Sequence, residues 1–152
     1  MIVDKYAVTT LGGREVKMVF TTAAYIMLCD RHGGIAELGD AMRATDAAGM
    51  RETLWIAALL ANQGLMLERQ VTSLSEQDVF NVDKLAAVTL PFQIKTINRA
   101  VMEAITFGVK GERLPDSDEA EVDVVLEELN AEKKPEGGSG PDASSPTASS
   151  RA

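Results

Sequence analysis

Near residues 108–115 the sequence changes character, and that change sets what the chain can fold into. An apolar-patterned stretch close to charge neutrality gives way to an acidic one that ends in Gly, Ser and Pro. Residues 1–110 carry 11 Lys and Arg against 12 Asp and Glu, and residues 111–152 carry 4 against 11, so nearly all of the net charge of −8 belongs to the second part. Domains usually run to about 100–150 residues, which leaves the first part room for one hydrophobic core and not two. The expected organisation is a compact module over residues 1–110 and an acidic, mostly disordered tail over 111–152. Such a layout suits a binding or assembly protein better than an enzyme.

Only seven aromatic residues are available to that core, so Leu, Ile, Val, Met and Ala must fill it, which favours packing of helix on helix. The exception is the start of the chain. Tyr6-Ala-Val-Thr-Thr-Leu11 and Arg14-Glu-Val-Lys-Met-Val-Phe20 are β-prone runs separated by Gly12 and Gly13, the pair that a tight primed turn demands. A two-stranded hairpin is marginal alone, so one face must rest on helices or its free edge must pair with another strand. The fold class expected is therefore α+β, mainly α: an N-terminal hairpin packed on a small bundle of four to five helices.

Helix signals follow in order. Thr21 or Thr22 can cap a helix that Gly33 and Gly34 stop, with Arg31 and His32 near its negative end. A short helix over 35–43 follows. Asp46 can cap the longest one, in which Met50, Leu54, Ala58, Ala61 and Leu65 recur at helical spacing. Around residues 54–61 this helix is apolar on every side, which marks it as the central one. Ser73 with Glu76, or Ser75 with Asp78, can form a capping pair for a helix over 76–87. Pro91 suits the first turn of a last helix whose stripe is Ile94, Ile97, Val101 and Ile105, with Thr96, Arg99, Glu103 and Thr106 on its polar side and Gly108 and Gly111 at its end. In the tail, Val122, Val125, Leu126 and Leu129 stand at helical spacing among seven acidic residues from Asp118 to Glu132, an expected helix over 118–131 that a partner would order.

Sites for chemistry are scarce in this sequence. The one histidine, His32, and the one cysteine, Cys29, share a helix face, but a core thiol beside a helix-end histidine accounts for both. Two ligands also fall short of the four a zinc site wants. Neither glycine pair belongs to a phosphate-binding motif, and Glu37 with Asp40 reads as a solvated helix face. The expectation is a non-enzymatic protein without cofactor or metal. Scattered basic residues argue against nucleic acid as a partner, and the longest apolar run, eight residues, against a membrane span. The N-terminus lacks a signal-peptide pattern and the single cysteine fits a reducing compartment, so a cytoplasmic location is expected. Candidate partner-binding residues are Trp55 and Leu59 on the central helix and Val122, Val125, Leu126 and Leu129 in the tail.

Taken in order, the hairpin with Gly-Arg-Glu-Val-Lys-Met-Val-Phe on its second strand, the helix closing in Arg31-His-Gly-Gly-Ile-Ala-Glu-Leu38, and Leu54-Trp-Ile-Ala-Ala-Leu-Leu-Ala-Asn-Gln-Gly-Leu65 resemble the tail assembly chaperones of long-tailed, siphovirus-type bacteriophages. The resemblance covers residues 3–108 as a pattern. It implies a protein that coats the tape-measure protein, a long helical ruler, and keeps it soluble in the host cytoplasm until tail-tube subunits polymerise around it. It also implies recruitment of the tail-tube protein by a longer, frameshifted form, and self-association along the ruler, for which the hairpin edge offers one route. A different reading of the same residues is a small helical adaptor that binds its partner through the acidic C-terminal segment.

Overall fold

The structure, a computed structural model, describes residues 5–111. It has a two-stranded antiparallel hairpin, β1 (Ala7–Leu11) and β2 (Arg14–Met18), followed by five helices: α1 (Thr22–His32), α2 (Ile35–Arg43), α3 (Ala47–Arg69), α4 (Val82–Val88) and α5 (Ile94–Lys110). The expected helix over 118–131 lies outside the described residues.

Gly12 and Gly13 both take positive φ, 61° and 80°, the conformation of a two-residue primed turn. Leu11 therefore faces Arg14, Thr9 faces Val16 and Ala7 faces Met18, and this register sends Ala7, Thr9, Leu11, Val16 and Met18 to one buried face. β2 lies over α3 and β1 over α5, with α3 and α5 side by side beneath them.

The register also settles where the remaining peptide groups point. Residues flanking a two-residue turn exchange ladder hydrogen bonds, and so does every second pair beyond them. Val8 and Thr10 consequently direct their N–H and C=O groups away from β2, and Lys17 directs its own away from β1. The two edges then meet different fates. On the β2 side, the Lys17 carbonyl lies against Gly64 of α3, so close that a β-carbon there would stand 2.0 Å from the oxygen. One turn earlier, the Val19 N–H donates to the Leu60 carbonyl at 3.2 Å. On the β1 side, the outward groups of Val8 and Thr10 have no partner among the described residues.

Caps follow the sequence closely at α1 and α3. The Thr21 hydroxyl accepts from the Ala24 N–H at 3.1 Å and donates to Gln63 Oε1 at 2.7 Å, tying the start of α1 to α3. Gly33, at φ 95°, ends α1. Asp46 caps α3 through the Gly49 N–H. As the all-round apolar stretch requires, α3 is enclosed by β2, α1, α2, α4 and α5. Ile56 and Leu60 are fully buried, each such side chain contributing about 1.5–3 kcal/mol.

Four expectations are corrected. The helix expected over 76–87 starts at Val82, because Ser75 turns the chain instead: the Asp78 and Val79 N–H groups both donate to its carbonyl, and Asn81 caps α4 through the Lys84 N–H. Pro91 opens a short 3-10 turn (Pro91–Gln93), and α5 begins only at Ile94. Gly108 does not end α5 but lies within it, where the Phe20 backbone approaches too closely for a β-carbon, and Gly111 is the cap, at φ 71°. On the same helix Thr106, expected on the polar side, is buried, its hydroxyl donating to the Met102 carbonyl at 2.8 Å.

Candidate partner-binding surface

α3 shows a half-buried stripe, Trp55, Leu59, Asn62 and Met66, between its enclosed faces. At one end Trp55 sits under a polar lid built from the last turn of α1. The Arg31 guanidinium lies 4.7 Å above its ring, and His32 meets it edge-on with centroids 5.7 Å apart. Glu52, one turn earlier on α3, holds the lid down. It accepts from Arg31 Nε at 2.8 Å and Nη2 at 2.9 Å, a bidentate pair, and its Oε1 lies 3.0 Å from His32 Nε2. Hydrogen bonding from Arg31 keeps the Glu52 carboxyl below its ordinary range and, in return, raises the Arg31 guanidinium.

Trp55 is thus positioned by three side chains rather than left bare. Leu59, one turn on, is half-buried against the core. The candidates Val122, Val125, Leu126 and Leu129 lie outside the described residues. His32, at the end of α1, engages Glu52 and Trp55. Among the described residues no group of three or more His, Cys, Asp or Glu side chains is placed to hold a metal ion, and no helix is long and apolar enough to cross a membrane.

The Glu52 lid carries a pH-dependent prediction. Because the folded carboxyl titrates below its ordinary value of 4.5, its stabilisation is complete above that value and is lost as the pH falls through the lower, folded one. Glu52→Gln should cost about 0.5–1 kcal/mol at pH 7 and less at about pH 3. Chemical denaturation followed by the fluorescence of Trp55, the single tryptophan, measures both; an equal cost at the two pH values refutes the assignment.

The largest exposed apolar side chains lie elsewhere, where sequence reading did not place them. Val88, Leu90 and Phe92 follow one another across the α4–α5 connection at 53%, 58% and 77% exposure. Val88 also packs on the hairpin turn, its Cγ2 lying 2.9 Å from where a β-carbon on Gly12 would stand, so this corner joins the tip of the hairpin to the start of α5. On α1, Ile26, opposite the buried Ala24 and Leu28, and Met27, at the flank of that face, are half exposed. A signal existed for both sites. Phe92 is off the stripe of Ile94, Ile97, Val101 and Ile105, and the unbroken apolar run from Ala23 to Cys29 is wider than one helix face can bury.

Comparison with family models, with curated proteins and with solved structures gives no match in any of the three.

Proposed function

We propose that this chain is a tail assembly chaperone of the long-tailed bacteriophage type, a non-enzymatic protein that binds the tape-measure protein in the host cytoplasm and keeps it soluble until the tail tube polymerises. The observation that carries this reading is the corner at Leu90 and Phe92. Leu90 and Phe92 are the two most exposed large apolar side chains among the described residues and stand together, with Val88 beside them, and clustered exposed apolar groups of this kind mark protein contacts. An amphipathic ruler helix offers the complementary apolar stripe. The order of elements, hairpin and then helices, supports the same reading.

Co-expression tests it. An aggregation-prone helical tape-measure protein should move to the soluble fraction with this chain and return to the pellet with Leu90→Ser/Phe92→Ser, whose own circular dichroism should be unchanged. A ruler that stays insoluble with the unaltered chain overturns the proposal. The adaptor reading predicts instead that deleting residues 112–152 abolishes partner binding while the two serines leave it intact.

A further inference from the structure

The two edges of the hairpin are unlike, and the difference fixes what strand pairing can build. Strand β2 is obstructed at Lys17 and just beyond it, since α3 meets the Lys17 carbonyl with Gly64 and takes the Val19 N–H with the Leu60 carbonyl, which leaves Glu15 as its one outward-facing residue and too little edge to pair. Strand β1 is open along its own, where Val8 and Thr10 present N–H and C=O groups without partners among the described residues. Natural edge strands usually carry lysine, proline or a bulge that discourages pairing. Here the edge is Ala-Val-Thr-Thr-Leu, uncharged, proline-free, paired to β2 without a bulge and β-branched at its three central positions, with Val8 45% exposed on the outer face.

We infer that β1 pairs with β1 of a second copy of this chain, antiparallel and about a two-fold axis at Thr9, to give a four-stranded sheet in the order β2, β1, β1, β2. An open-ended repeat through hairpin edges needs two free edges on each chain, one to give and one to receive. With only one available, pairing closes at two copies.

The register follows from the same geometry. Centring on Thr9 overlaps the whole of both strands and sets Val8 opposite the partner's Thr10, and Thr10 opposite the partner's Val8. All the outward groups of Val8 and Thr10 are then used, in four hydrogen bonds. Charge agrees with this arrangement. On the outer face Lys17 is the neighbour of Val8 and Glu15 the neighbour of Thr10, so each row across the four strands begins with Lys17 of one copy and ends with Glu15 of the other. No row sets like charges together. The pairing does not depend on the chaperone reading, and any ruler-binding surface would be presented in duplicate.

Sedimentation of the full chain should give twice its 16.3 kDa mass. Thr10→Pro removes an N–H that the hairpin does not use and two of the four intermolecular bonds. It should raise the dissociation constant by about thirtyfold with an unaltered circular dichroism spectrum. A second variant fixes the register whatever proline does to folding. In a Cys29→Ser background, Val8→Cys together with Thr10→Cys should oxidise to a disulfide-linked dimer, because directly paired residues stand about 5.5 Å apart, within disulfide reach, whereas either cysteine alone should not. A single-chain mass at about 100 µM overturns the inference. So does a dimer that Thr10→Pro leaves untouched and the paired cysteines fail to link, or an edge that takes up an unrelated extended peptide while the chain stays monomeric.

Discussion

Gly64→Ala should destabilise the protein by about 3 kcal/mol and lower its melting midpoint by about 10–15 °C, although alanine is the better helix former by about 1 kcal/mol. The β-carbon would stand 2.0 Å from the Lys17 oxygen and 2.9 Å from its carbonyl carbon, and both are backbone atoms that no rotamer change can clear. Relief requires β2 to lift off α3. That movement stretches the Val19 N–H to Leu60 bond beside it and opens the faces that bury Val16 and Met18. Thermal unfolding monitored by circular dichroism decides the matter, and a midpoint within about 2 °C of the unaltered chain would show that the hairpin is not seated there.

Asn62→Ala should cost about 2–3 kcal/mol for a different reason. The Asn62 amide holds both backbone groups of Phe80, donating from Nδ2 to the Phe80 carbonyl at 2.9 Å and accepting from its N–H at 2.7 Å through Oδ1. Truncation leaves two partly buried peptide groups unsatisfied, which is costlier than the loss of two ordinary hydrogen bonds. The neighbourhood amplifies it. Phe80 carries the Arg14 guanidinium 5.5 Å over its ring, and Asp78 is held by Arg69 at 2.7 Å, so the approach to α4 is tied to α3 and to the hairpin at once. Urea unfolding should show the lowered midpoint. Equal stability of Asn62→Ala and the unaltered chain would remove the clamp from the account.

How much of this was legible beforehand depended on whether the signal was local. Gly12 and Gly13 specify their turn by backbone conformation alone, and Thr21 and Asp46 cap the helices they precede with their own oxygens, so the hairpin and the starts of α1 and α3 could be read directly. The start of α4 could not. Ser75 and Asp78 carry a valid capping signature, but Arg69 and Asn62, both on another helix, draw Asp78 and Phe80 into a turn and leave the true cap to Asn81. Gly108 resembles a helix stop for a similar cause, since only the close approach of Phe20, 88 residues earlier, shows that it is an interior contact. The candidate surface divides the same way. Trp55 was legible as a helix position, whereas its lid of Arg31, His32 and Glu52 and the corner at Leu90 and Phe92 exist only once α1, α4 and the hairpin are in place.

The placement of β1 over α5 has a consequence for synthesis. Strand β1 rests on α5, about 90 residues later in the chain, so the β1 side of the hairpin's buried face must wait uncovered while α1 to α4 are made. Throughout that interval Ala7 and Leu11 on β1 are open to capture by neighbouring nascent chains, whereas Val16 and Met18 on β2 can already be covered by α3. Slowing translation once α5 has cleared the ribosomal exit tunnel, when it can close over β1, should therefore raise the yield of native protein more than a pause of equal length placed earlier.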